Sequence, residues 1–215
     1  MNDISYLIPI LAGAMLFSAF IVSSRMRLFS LIQWFRIQSF ILVLYTVTLG
    51  YMLARPELYM SAVLVLIVKV GIVPYFLSHV AIRPGVSQRL ESYARPAVLS
   101  FISVVLIGIA FYVAHAYAFL LTAYPVVVAS SSLILIGLLL LVTRKDLFGQ
   151  GTGFLTLENG IFVFGLALVN GMPLLLEIGI LFDVLIGFVL MLALVYRAQR
   201  EHASVGTDRM RDLVG

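Results

Sequence analysis

Cysteine is absent from the 215 residues. That removes disulfide scaffolds, thiol redox chemistry, thiolate zinc sites and Cys-ligated iron–sulfur clusters. Charge is scarce as well: 11% of residues are Asp, Glu, Lys or Arg, against about 25% in ordinary soluble domains. Hydrophobic residues make up 62% of the chain and the mean hydropathy is +1.12, so a soluble globule is excluded. No Ser–His–Asp set, metal-ligand cluster or paired-carboxylate hydrolase signature stands out. Gly149-Gln150-Gly151-Thr152-Gly153 has the look of a phosphate loop, yet it lies in an apolar run and follows no strand. Close helix packing through small residues accounts for it better.

What is present is a succession of apolar runs near the roughly 20 residues that a transmembrane helix needs. They fall at about 4–24, 28–53, 58–82, 96–118, 122–143, 147–170 and 173–197. The punctuation between them is polar or helix-breaking: Arg55-Pro56-Glu57, Arg83-Pro84-Gly85 through Pro96, Tyr124-Pro125, and Asn170-Gly171-Met172-Pro173. The expected fold is therefore all-α, a polytopic integral membrane protein of seven transmembrane helices. The first run has Asp3 ahead of it rather than a basic segment, and it reads as a retained span rather than a signal peptide.

Orientation follows from the loop charges. The first, third and fifth loops and the C-terminal tail carry 11 Lys and Arg; the opposite side carries Arg55 alone. This asymmetry predicts an N-terminus outside, a C-terminus in the cytoplasm and residence in the inner (cytoplasmic) membrane. The net charge of +4 is then a property of cytoplasmic loops facing a lipid bilayer, and no nucleic-acid partner is expected. Arg27-Leu28-Phe29 echoes Asp146-Leu147-Phe148, and Lys69 sits in the third span where Asp183 sits in the seventh. The chain thus divides into a repeat-like three-helix half over 1–82, a cytoplasmic loop and linker helix over 83–121, a second three-helix half over 122–197 and a cytoplasmic tail over 198–215.

Five charged residues remain inside spans: Arg36, Lys69, Glu158, Glu177 and Asp183. At 1.5 Å per residue, Lys69, Glu158 and Asp183 each lie roughly 15–17 Å into a span, near the midplane of a ~30 Å hydrocarbon core. A charge there costs about 2.5–3.5 kcal/mol on insertion scales, so such groups face protein or water and mark ion pathways by default. The expected role is proton or cation transfer, with a static ion pair that fixes helix packing as the competing reading. Pro74 has no N–H to give and so leaves a carbonyl of the preceding turn unpaired beside Lys69, a way to line a hydrated cavity at membrane depth. Glu177, one turn after Pro173, stands at the outer end of the same axis. Arg36 lies where its stem can snorkel, and Gln38 can hydrogen-bond between helices.

Two stretches resemble a known family. Thr156-Leu157-Glu158-Asn159-Gly160, then Met172-Pro173, Glu177-Ile178-Gly179-Ile180 and Asp183, resemble the C-terminal half of hydrogenase-4 component E proteins, membrane subunits of formate-hydrogenlyase-type group 4 nickel–iron hydrogenases. Ile67 to Pro74, with Lys69 and Pro74, resembles their N-terminal half. Spans five to seven are also similar to subunit K of respiratory complex I, with Glu158 at the position of its first buried Glu and Asp183 at that of its second. The resemblance implies a non-catalytic membrane-arm subunit that docks on antiporter-like and other membrane subunits and, through them, on a hydrophilic hydrogenase-type module. It implies no cofactor in this chain, the nickel–iron site and iron–sulfur clusters belonging to partner subunits, and no resident metal. Lys69, Glu158, Asp183 and Glu177 would then serve ion translocation, with Pro74 beside the path and Arg36, Gln38 and Asn159 supporting it. A purely structural adaptor and a subunit of a multi-subunit cation/proton antiporter are the readings left open.

Overall fold

The computed structural model describes residues 3–82, 87–116 and 123–169. After a 3-10 turn over Asp3–Tyr6, the chain forms α1 (Leu7–Ser24), α2 (Leu28–Leu53), α3 (Pro56–Val65), a π-helical segment (Leu66–Ile72), α4 (Val73–Ala81), α5 (Pro96–Ala116), α6 (Tyr124–Thr143) and α7 (Leu147–Val169). α3, the π segment and α4 run on as one continuous rod of 26 residues. Among the described residues, five helical stretches are long and apolar enough to cross a membrane: α1, α2, this composite rod, α5 and α6. α7, at 23 residues, occupies the stretch expected for the sixth span. The expected seventh span lies outside the described residues, and with it Glu177 and Asp183.

Helix starts follow proline chemistry. Pro56 and Pro125 stand in the first turns of α3 and α6, and α5 begins on Pro96, positions where a missing N–H costs nothing. α7 starts instead on an acidic cap: the Asp146 carboxylate accepts from the Gly149 N–H at 2.6 Å, satisfying an otherwise orphaned donor.

With no hydrophobic driving force between helices in lipid, packing depends on close approach. α6 and α7 make the most extensive helix pair, and glycines set its spacing. A Cβ on Gly137 would lie 2.6 Å from the Leu157 backbone nitrogen, one on Gly153 2.8 Å from Leu140 Cβ, and one on Gly160 2.8 Å from the Ile134 nitrogen. The small-residue reading of the glycine run therefore holds for Gly153, and Gly149 makes room for the stem of Arg144. Ser130 and Ser132 are buried and return their hydroxyls to Val127 and Val128 carbonyls.

α2 is the hub, packing on α1, α3, the π segment, α4 and α7, while α1 also packs on α6. At one end of the bundle the loop around 87–95 stitches two helix turns together. Leu28 donates to Gln88 and Leu90 to Met26, and further along Tyr93 donates to Thr143 and Lys145 to Glu91. The turn before α2 and the turn before α7 are thus tied to one connecting strand-like segment, with bridges Arg27 to Arg89 and Ser92 to Arg144.

Candidate functional site

The burial pattern along the composite rod shows how Lys69 is aimed. Buried positions run Leu58, Ser61, Ala62, Val65 and Lys69, then Pro74, Leu77, Val80 and Ala81. Steps of three or four are α-helical, but the step from Lys69 to Pro74 is five, one turn of π-helix. The wide register is carried by Val73 donating to Val68. The next bond in that register would need an N–H from Pro74, which has none, so the wide turns stop there. The opening predicted beside Lys69 takes the form of a π-helical stretch, Leu66–Ile72, that closes just ahead of Pro74. Its effect is to move the inward-facing stripe by one residue: Ile72, which an unbroken α-helix would turn inward, is 57% exposed.

Lys69, thirteen residues from Pro56 and twelve from Ala81, sits at mid-length of the rod and is 4% exposed. Its Nζ lies 2.8 Å from Glu158 Oε1 and donates to Asn159 Oδ1 at 3.0 Å. Glu158 and Asn159 are eleven and twelve residues into α7, at 8% and 0% exposure. Two of the expected residues, Lys69 and Glu158, are thus brought together as an ion pair, and Asn159 joins them. Gln38 is fully buried ten residues into α2, at matching depth on the helix that packs against both the π segment and α7. Both ends of its amide lack a partner among the described residues, as do Ser39 Oγ, Thr156 Oγ1 and Asn159 Nδ2.

Several buried groups without partners at one level of a bundle differ from an ordinary core, where more than about 90% of buried polar groups are satisfied. A layer of this kind has room in its hydrogen-bonding capacity for water or a passing ion. Ser39 was not singled out from the sequence, and Thr156 entered only as the head of the Thr156–Gly160 stretch. Their nearness in sequence to Gln38 and Glu158 was the signal available, a weak one because hydroxyl residues in membrane helices can return their bond to their own backbone. Arg36 is not part of the layer: it is on the exposed side of α2.

Arg144 was read only as one of the basic loop charges. It is fully buried and is the largest such side chain in the described residues. Its guanidinium donates to the carbonyls of Ser23 at 3.1 Å and Arg25 at 2.7 Å, and reaches the Met26 Sδ. These carbonyls close the end of α1, where a cation also complements the helix dipole. Burial lowers the affinity of this guanidinium for its proton, and nearby Asp146 opposes the shift.

No family model and no solved structure matches the chain. Hydrogenase-4 component E of Escherichia coli K12 is 24% identical to it, over 98% of this chain and 99% of that protein. The same figures hold for hydrogenase-4 component E of Shigella flexneri. The uncharacterized protein Rv0085 of Mycobacterium tuberculosis is 34% identical over 85 residues, a match that spans 40% of this chain and 39% of that protein. The resemblance read from the Leu-Glu-Asn-Gly and Lys69–Pro74 stretches is therefore matched by a distant similarity along nearly the full length.

Proposed function

We propose that the chain is a non-catalytic membrane-arm subunit of a hydrogenase-type, complex I-like respiratory complex in the cytoplasmic membrane, and that Lys69 and Glu158 take part in moving protons or sodium ions coupled to redox chemistry elsewhere. The observation that carries this reading is the ion pair at 2.8 Å, placed at mid-span where the helix widens into π register. The full-length similarity to hydrogenase-4 component E supports the setting. In this reading seven spans cross the membrane, the basic loops face the cytoplasm, and Glu177 and Asp183 extend the axis from the seventh span. Antiporter-like membrane subunits flank the chain, and the nickel–iron and iron–sulfur centres belong to partners.

The chemistry uses the symmetry of the pair. A proton passed from Nζ to Oε1 converts an ammonium–carboxylate pair into an amine–acid pair with no change in net charge. The pair can therefore relocate a proton from one helix to the other without exposing an isolated ion to hydrocarbon, where its cost is greatest, and release from Glu158 must be matched by uptake of another proton at Lys69. Asn159 Oδ1 holds the nitrogen in place, and water among the unpartnered groups of Gln38, Ser39 and Thr156 supplies the next acceptor.

The test is Glu158→Gln in the intact complex, measured in sealed membrane vesicles. Electron transfer should continue while protons or sodium ions taken up per electron fall sharply. Unchanged uptake per electron, with the complex assembled, would make the pair a static packing device and favour the adaptor reading.

A further inference from the structure

We propose that Thr156 is the step through which Lys69 is reprotonated, and that the proton comes from the end of the bundle that carries the loop around 87–95. The inference rests on the reading of Lys69 and Glu158 as a proton-moving pair, and it names the residue and the side that feed it. Thr152, Thr156 and Asn159 are spaced four and three apart, which at 100° per residue keeps them within an arc of roughly 60° on α7. All three are buried. Thr156 lies about 4.5 Å of helix before Asn159, and Thr152 about 6 Å before Thr156. Steps of that size are bridged by single waters hydrogen-bonded at both ends. Below Thr152 little more than one turn of α7 remains before the loop, packed at Gly149 by the stem of Arg144.

The use of each hydroxyl singles out Thr156. Thr152 donates to the Phe148 carbonyl at 2.9 Å, and Thr46, Ser61, Ser130 and Ser132 likewise donate to carbonyls of their own helices. This is the ordinary fate of a hydroxyl in a helix. Thr156 makes no such bond, and its Oγ1 has no partner among the described residues. A buried hydroxyl that does not bond back to its helix keeps one donor and two acceptor positions for relay. Direction follows from what lies on either side of the pair. Toward the loop end α7 offers Thr156 and Thr152, whereas residues 161–169 beyond the pair include no polar side chain. On the rod and on α2 the buried positions toward the loop end are apolar. α7 is therefore the helix that carries polar groups from Lys69 to that end.

The proton balance closes. Once Lys69 has passed a proton to Glu158, its amine has a lone pair to fill. Thr156 Oγ1 hands over a proton through a bridging water and takes one in turn from the water on its Thr152 side. Each hydroxyl and water ends as it began, and one proton has moved. Asn159 Oδ1 accepts from Nζ at 3.0 Å and so positions the nitrogen without transferring anything itself. Within the polar layer this assigns Thr156 to uptake and leaves Gln38 and Ser39 to the side that receives the proton from Glu158. A hydroxyl relay passes protons and not sodium ions.

The test uses the assembled complex in sealed vesicles with the loop side facing the medium, and follows proton uptake from the medium and release into the lumen. Thr156→Val keeps the shape and removes the hydroxyl, and uptake should slow about 10-fold or more, the worth of one hydrogen bond in a charged site. Thr156→Ser keeps the hydroxyl and loses the methyl group, and uptake should stay near the parent rate. A packing role gives the reverse order, and that order overturns the proposal. So does unchanged uptake in Thr156→Val while Glu158→Gln is impaired. Slowed release with normal uptake places Thr156 on the exit side and overturns the direction, and uptake of sodium ions in place of protons overturns the chemistry. If Glu158→Gln itself leaves ions moved per electron unchanged, the reading of the pair falls, and this inference with it.

Discussion

The pairing of Lys69 with Glu158 makes a quantitative claim about non-additivity. At 2.8 Å and an effective dielectric of about 20, the direct attraction is about 6 kcal/mol. Desolvation of both ions offsets much of that. Removing one partner of a buried pair costs about 3–5 kcal/mol, whereas removing both is close to neutral. Lys69→Met and Glu158→Gln should therefore each destabilise the chain by about 3 kcal/mol. The double variant should lose about 1–2 kcal/mol, so the coupling is about 4 kcal/mol or more, well above the roughly 0.6 kcal/mol average for single polar contacts between membrane helices. Unfolding in mixed micelles of mild detergent and dodecyl sulfate measures this. The chain's one Trp, Trp34, reports from α2, the helix that packs on both the π segment and α7. Single costs that add to within about 0.5 kcal/mol in the double variant would refute the reasoning, because residues that do not interact behave that way.

The same assay ranks the glycines. Gly137→Ala drives a methyl group into the Leu157 backbone at 2.6 Å and should cost at least the ~1–3 kcal/mol of an overpacked core; Gly108→Ala meets nothing within 4 Å and should be neutral or stabilising by up to ~1 kcal/mol through helix propensity. The reverse order would show that glycine contact does not set the α6–α7 distance. Arg144→Lys keeps the charge but loses the planar fork that reaches the Ser23 and Arg25 carbonyls with one nitrogen and Met26 Sδ with the other. A loss of about 1.5–3 kcal/mol is expected, with faster hydrogen exchange in the last turn of α1. Unchanged exchange there would mean that the guanidinium does not hold the end of that helix.

Helix extents were legible because hydropathy and proline punctuation act over twenty residues at a time. α2 was expected at 28–53 and is found there; α6 and α7 fall within two residues of expectation. Lys69 and Glu158 were legible for the opposite reason, since one charge in an apolar run is conspicuous. Their mutual distance was not, because sequence places residues in depth and leaves rotation about each helix open. The π segment was invisible on the same ground. In Leu66-Ile67-Val68-Lys69-Val70-Gly71-Ile72 the residues on all sides are apolar apart from Lys69, so no polar face marks the phase and a one-residue slip leaves no trace. Arg144 stands in the loop after α6 as its position implied, but its burial was not legible, because nothing in its neighbours announces that its fork folds back onto the end of α1.

These features together give the two halves of the ion pair different mechanical settings. Glu158 and Asn159 project from α7, which glycine contacts press against α6 and whose first turn is fixed by Asp146 and by Arg144 beneath Gly149. Their positions are as rigid as the most tightly packed part of the bundle. Lys69 projects from a rod that packs principally against α2, in a segment of wide turns that ends at a proline and exposes Leu66, Ile67 and Ile72. Fewer buried contacts and an irregular hydrogen-bond ladder are the conditions under which a segment moves at low cost. A shift of the rod by one wide turn's worth of register would withdraw the ammonium while the carboxylate stayed in place. If the pair works in ion transfer, its moving part is therefore the lysine, and the rest of the bundle serves to hold the acceptor still.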